Sequence, residues 1–468
     1  MPSYIASKFE KLMKSARSIS DDAIAAMLTR EHALFLQRNP NSQTLATRSA
    51  RHWLRRVPMF WMEDWRTAFP LFIERAAGVE LTDADGNHYV DFCLGDTGAM
   101  FGHGPEPLLD TLCRRGAQGL TTMLPSPDAA IVGALLADRF GLPVWQVTAT
   151  ASDANRSVLR WARAVTGRDR ILVFNGNYHG AVDDTFVRLE DGKPRSDPGL
   201  IGEPRDLTQF TSVIEFNDVP ALEQALAARD IACVLAEPVM TNCGMVLPDP
   251  DFHRALRELT RSTKTLLVID ETHCMSSGPG GYSRAHGLEP DAIVLGKPIA
   301  GGVPAAAYGV AEHFADRIDT YLAARPSGHS GIGTTLSGSA IQLALMRTML
   351  ETYFTPETFE PLLILAERLE TGLADLFRTR AIPWHVVRVG ARVEFMCAPL
   401  PPRNGGEAMK IIGRPIDRAV HHYLLNRGLV ITPFHNMMLI CPATKRSHVD
   451  ALIAGIDACL AELIAAGS

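Results

Sequence analysis

The sequence predicts an α/β fold: a large layered domain on a mostly parallel sheet, with a smaller α+β domain assembled from both ends of the chain. Three observations predict it. Between about residues 95 and 350, the short apolar runs WQVTAT, RILVF, IACVLAEPV, LLVIDE and AIVLGK, each bounded by turn residues, alternate with helical stretches; buried parallel strands joined by helices read this way. Hairpin-like text precedes this region, and a helix–strand–strand–helix pattern follows it. Finally, several of the apolar runs end in polar residues, at the place where open α/β sheets bind ligands.

Taken in order, residues 21–38 carry Ile24, Met27, Leu28, Leu34 and Leu36 on one stripe at helical spacing, after Asp21 and Asp22 as a capping pair. The basic stretch Arg48 to Arg56 reads as a solvated or subunit-contacting segment. From Pro70, PLFIERAAGVELTDADGNHYVDF alternates apolar and polar residues, with Asp85-Gly86-Asn87 as its turn. The five apolar runs then build the sheet. After about residue 355, HVVRVGARVEFMC and LVITPFHNMMLICP have strand character, and VDALIAGIDACLAELI closes the chain as an amphipathic helix. The expected division is 1–94 for an N-terminal helix and small-domain segment, 95–350 for the large domain and 351–468 for the C-terminal small domain.

Composition narrows the function. The 468 residues exceed what one compact core usually serves. With 46% hydrophobic and 21% charged residues, the chain is neither disordered nor fibrous. A net charge of −6 gives no footprint for nucleic acid. Eight scattered cysteines, without C-x-x-C pairs, argue for reduced thiols and against a metal centre. The first fifteen residues have no signal-peptide character, and no run of about 18 apolar residues occurs. A cytoplasmic chain without membrane contact is expected.

The strand ends carry the chemistry. LLVIDETHC ends in Asp270 and Glu271, and a carboxylate there needs a cation or donors to compensate its burial; one of the pair capping the next turn is the plainer alternative. AIVLGKPIAGGVP ends in Lys297, 27 residues after Asp270. A lysine beside a buried site is a Schiff-base nucleophile, whereas an isolated one is a surface cation. VTATASDANRSVLRWAR sets Ala151 and Ser152 at a strand-to-helix junction, which suits a phosphate at a helix N-terminus as well as an ordinary cap. Tyr178-His179-Gly180 follows another strand, where an aromatic ring can stack on a planar cofactor or belong to the core.

Together, SDANRSVLRWARAVTGRDRILVFNGNYHG, LAEPV, VIDETHC, AIVLGKPIAGGVPAAAYG and GTTLSGS occur in the order and spacing of the class III pyridoxal-phosphate aminotransferases. Within that class, the chain resembles the glutamate-1-semialdehyde aminomutase-like and β-amino-acid aminotransferase branch, from about Pro70 onward. The resemblance implies fold type I with a mostly parallel seven-stranded sheet, pyridoxal 5'-phosphate as cofactor, and a homodimer with shared sites. It makes Lys297 the Schiff-base lysine and proton shuttle, and Asp270 the partner of the pyridine nitrogen. Ala151 and Ser152 fall at the phosphate cup, where Ala151 replaces a glycine; Tyr178 falls at the stacking ring. Thr272 and His273 stand where Val or Ile and Gln are usual. Glu237 and Asn242 match a carboxylate and amide near the cofactor, and Thr335 matches the residue reaching the phosphate from the neighbouring subunit.

Departures shape the expected substrate. Thr241-Asn242-Cys243-Gly244 lacks the gating carboxylate of ornithine-type members. TPFHNMMLICP lacks the carboxylate expected of an aminomutase, and Thr432-Pro433-Phe434-His435 lacks the arginine of β-amino-acid enzymes. The expected activity is therefore a ping-pong transaminase, moving an amino group from an amine or β-/ω-amino acid to pyruvate or 2-oxoglutarate. The alternative is an intramolecular amino shift, and a non-catalytic cofactor-binding protein is the third reading. Arg392 is the candidate for a substrate carboxylate, with a structural ion pair as its other reading; Arg66 and His435 are further candidates.

Overall fold

The computed structural model describes residues 19–203, 205–326 and 331–466; the first fifteen residues, read above for targeting, lie outside them. The expected first helix forms at Asp21–Arg38, but Ser20 caps it, accepting a hydrogen bond from Ala23 N–H. Asp21 and Asp22 instead occupy its first turn, where they complement the helix dipole. Its buried face is Ala23, Ile24, Met27, Glu31 and Phe35. Leu34 and Leu36 are only partly covered. Buried Glu31 accepts from Asn426 at 2.8 Å and Arg427 at 3.0 Å, tying this helix to the C-terminal part of the chain.

Strands β1 (Ile73–Ala77), β2 (Glu80–Asp83) and β3 (His88–Asp91) form an antiparallel meander. The large sheet follows from β4 (Val144–Thr148) and β5 (Arg170–Phe174), then, after a separate hairpin of β6 (Val187–Glu190) and β7 (Lys193–Ser196), β8 (Thr211–Ile214), β9 (Ile231–Ala236), β10 (Leu266–Asp270), β11 (Ala292–Leu295) and β12 (Ala306–Val310). Its order is β4-β12-β11-β10-β9-β5-β8. Only β12 runs antiparallel to its neighbours, because the short connection from β11 through Gly301 and Gly302 cannot hold a parallel crossover. Strands β9 to β12 are buried throughout, as their unbroken apolar text requires.

Beyond the large sheet, β13 (His385–Val389) and β14 (Arg392–Met396) pair antiparallel around Gly390. LVITPFHNMMLICP is divided between two sheets. Its first part, β15 (Leu429–Val430), lies parallel to β3, and its second, β16 (Met437–Leu439), pairs with β14. Pro433, without an N–H, cannot continue a ladder between them. No described helix is long and apolar enough to cross a membrane.

Candidate active site

Strands β4, β11, β10, β9 and β5, with β12 between the first two, bring their carboxyl ends together around a cavity of about 380 Å³. Nine residues expected at the cofactor line it: Ala151, Ser152, Tyr178, Glu237, Asn242, Asp270, Thr272, His273 and Lys297.

Asp270 is the last residue of β10. Its Oδ2 accepts from Asn155 Nδ2 at 2.8 Å and contacts His179 Nδ1 at 2.9 Å. Its Oδ1 accepts from Thr272 Oγ1 at 2.6 Å and Thr272 N–H at 3.1 Å. Burial alone would raise this carboxyl, but the His179 contact and the Thr272 and Asn155 donors hold it at about 2. Asp270 is therefore an anion aimed into the cavity. Thr272 takes part by holding that anion.

Lys297 follows β11 after Gly296. A Cβ on Gly296 would lie 2.8 Å from Ala151 Cβ, so only glycine lets the lysine turn approach the helix Ala151–Thr166. Lys297 itself has φ +35°. Its Nζ donates to Asp96 Oδ2 at 2.5 Å and contacts His273 Nε2. Opposite, Thr150 caps the N-terminus of Ala151–Thr166 by accepting from Asp153 N–H. The first N–H groups of a helix have no intrahelical partners, and here they border the cavity through Ala151 and Ser152. Ser152 Oγ accepts from Ala181 N–H at 2.9 Å. Gly180, at φ +81°, leaves space that a Cβ would take from the Ser152 side chain.

On the β9 side, Glu237 accepts from Thr241 N–H at 3.1 Å, from the Thr241 hydroxyl, and from Asn242 Nδ2 at 3.0 Å. Burial raises its carboxyl above the ordinary range. His273 is buried, with Nδ1 2.7 Å from Thr241 Oγ1. Tyr178 lies with its ring centroid 5.1 Å from that of Trp61, which in turn meets Phe434 at 5.7 Å.

Sequence reasoning missed Asp96, Trp61, Thr241 and Asn155. Asp96 sits in a loop where Leu94, Asp96 and Thr97 all have positive φ, of 47°, 49° and 84°. Three such residues together store backbone strain of the kind found at functional sites. Burial would raise the Asp96 carboxyl, but Lys297 beside it holds it well below the usual range. The flanking Gly95 and Gly98 were the sequence signal for this turn, and a weak one.

Four expected residues do not line the cavity. Thr335 lines a different one, with Met123 and Ile332. Arg66 is exposed and reaches the Gly413 carbonyl at 3.4 Å. His435 is buried against Glu394, with Nδ1 3.0 Å from Oε1; although burial would lower it, Glu394 raises it. Arg392 is fully buried on β14 and donates through Nη2 to Thr97 Oγ1, while its Nε and Nη1 find no partner among the described residues. No ion pair of Arg392 forms among the described residues either.

The donor set suits pyridoxal 5'-phosphate. A helix N-terminus matches its phosphate, an anion matches a protonated ring nitrogen, an aromatic ring offers a stacking face, and an amine faces the place for its aldehyde.

Comparison with known proteins bears on both cofactor and reaction. The family model described as aminotransferase class-III matches residues 61–460. A glutamate-1-semialdehyde 2,1-aminomutase of Desulfosudis oleivorans is 32% identical over 406 residues, covering 84% of this chain and 92% of that protein. The crystal structure of a glutamate-1-semialdehyde aminomutase from Pseudomonas aeruginosa superposes with a TM-score of 0.93 at 46% identity, covering 95% and 99% of the two chains; a variant of it has been solved in complex with PMP. An omega-transaminase from Sphaerobacter thermophilus matches at a TM-score of 0.83 with 26% identity, over 90% and 97% of the chains. These likenesses overturn the expected ping-pong transaminase, since the aminomutases are similar to this chain at 32% and 46% identity and that transaminase at 26%. TPFHNMMLICP lacks the carboxylate expected of an aminomutase, yet the likenesses favour that reaction. The chain belongs to the class-III aminotransferases, and pyridoxal 5'-phosphate is its cofactor.

Proposed function

We propose that the protein is an aminomutase that shifts an amino group between adjacent carbons of a small amino-oxo acid, with glutamate 1-semialdehyde as the substrate. The observation that carries this is the 46% identity, over 95% of the chain, to the Pseudomonas aeruginosa aminomutase. Bound pyridoxal phosphate supplies an electron sink that makes protons on the substrate carbons acidic.

The chain's own residues divide the remaining work. Ala151 and Ser152 offer helix N–H groups to the phosphate, and Tyr178 covers one face of the ring. Asp270, held ionised by its donors, faces the ring nitrogen. Lys297 carries the cofactor at rest and, once its amine is free, moves a proton between the two substrate carbons. Asp96, ionised beside Lys297, attracts the ammonium group that substrate and product both bear. Arg392, buried outside the cavity and bonded to Thr97, adds a positive charge near Asp96 that favours a substrate carboxylate without touching it.

The test is to give the purified holoenzyme 4-amino-5-oxopentanoate alone and follow its conversion by nuclear magnetic resonance. Formation of 5-amino-4-oxopentanoate, lost in Lys297→Ala, is the expected result. Conversion only when a 2-oxo acid or a second amine is supplied would refute the proposal.

A further inference from the structure

A hydrogen-bond chain runs behind Lys297 from Glu237, and its first link fixes its direction. Glu237 Oε2 receives the Thr241 backbone N–H at 3.1 Å, a group that only donates. Oε1 receives the Asn242 amide at 3.0 Å. With Glu237 ionised, both oxygens act as acceptors, and the Thr241 hydroxyl beside Oε2 gives its single proton to the carboxylate. The hydroxyl oxygen is then an acceptor on its other side, where His273 Nδ1 lies at 2.7 Å. His273 is neutral, because burial and then the neighbouring Lys297 push it down to about 3. A neutral imidazole has one N–H. Once that is spent on Thr241, Nε2 meets Lys297 Nζ with a bare lone pair. The other neighbour of Nζ, Asp96 Oδ2 at 2.5 Å, is also an acceptor.

We infer that Glu237 and Thr241 lock His273 in the tautomer with Nδ1 protonated, so that His273 and Asp96 occupy both N–H bonds of the free Lys297 amine and leave its lone pair open to take a proton. The opposite tautomer would set an Nε2–H against that lone pair and quench the base. His273 is thus a positioning residue that acts through Lys297. The charged groups facing it are Lys297, Asp96 and Arg392, with Glu237 one hydroxyl away. The consequence for proton transfer rests on the aminomutase reading, whereas the tautomer lock rests on the hydrogen bonds, a neutral His273 and an ionised Glu237.

The experiment uses the full-length protein loaded with pyridoxamine 5'-phosphate, in which Lys297 carries a free amine. Nitrogen-15 histidine spectra, assigned with His273→Gln, report the ring protonation directly. The expected signal is a protonated Nδ1 and a bare Nε2 between about pH 6 and 8. Thr241→Val removes the acceptor at nearly constant volume; it should abolish that preference and lower kcat about tenfold or more, with KM nearly unchanged, whereas Thr241→Ser should preserve both. A protonated Nε2 in the wild-type protein, or wild-type tautomer and rate in Thr241→Val, would overturn the inference. Finding the expected tautomer in a protein that performs no amino shift would overturn the aminomutase reading and uphold the lock.

Discussion

Asp270 ends a fully buried strand, and a charge in that position costs several kcal/mol unless donors surround it. The contacts from Asn155, His179 and Thr272 meet that cost before any ligand binds. Asp270→Asn keeps the shape and removes the charge. Steady-state kinetics should show kcat lower by about a hundredfold or more, and an unchanged kcat would remove Asp270 from its proposed role. Asp96→Asn keeps one acceptor oxygen but loses the anion beside Lys297, and kcat should fall about tenfold. Asp270 and Lys297 were legible in the sequence because a charge after an apolar run stands out. Asp96 was not, since its partner Lys297 is 201 residues away and its loop resembles an ordinary glycine turn. Thr272 and His273 looked like departures from a pattern, and only their contacts with Asp270 and Thr241 give them work.

Among the elements, the helix Ala151–Thr166 matters most to the site, because its start is held from outside as well as capped from within. Gly180 packs against Ser152 with φ +81°, so Gly180→Ala is strained twice, by its dihedral angle and by the clash. It should weaken pyridoxal phosphate binding about tenfold or more in a fluorescence titration, by displacing the N–H groups proposed for the phosphate. Thr150→Ala removes only the cap and should cost about 1 kcal/mol of stability, read in thermal melts. The runs of β9, β10 and β11 were readable as strands because full burial leaves an unbroken signature, whereas β4 alternates partly exposed and exposed residues. Strand β12 was hidden inside a longer apolar stretch, and its reversed direction follows from a short connection rather than from its composition. The split of LVITPFHNMMLICP was equally obscure, because the two halves pair with strands more than 300 and about 40 residues earlier.

At the scale of the whole molecule, buried charge decides how stability responds to pH. Burial pushes His253 and His421 down to about 4 and His273 to about 3. Their folded values lie below the ordinary 6.5, so the unfolded chain takes up protons that the folded one refuses. The stability they contribute is present above pH 6.5 and is lost as the pH falls toward 4, by about 2 kcal/mol for each histidine at pH 5. Glu271, raised to about 7 by burial, and His435, raised by Glu394, act in the opposite sense. Burial also lowers His286, His385, His422 and His448, so the lowered histidines prevail and the melting midpoint should be lower at pH 5 than at pH 7; an equal or higher midpoint at pH 5 would contradict this balance. Trp53, Leu54, Met59, Phe60 and Met62 are all exposed, an apolar concentration typical of an interaction surface. We propose that this surface packs between two copies of the chain, for which sedimentation should give twice the chain mass. The most direct measurement of the central claim is the number of turnovers per site with glutamate 1-semialdehyde as the only amine and the only carbonyl compound. An aminomutase regenerates its starting form with each product and continues through many turnovers, whereas a transaminase would stop after one amino transfer per site until a 2-oxo acid was added.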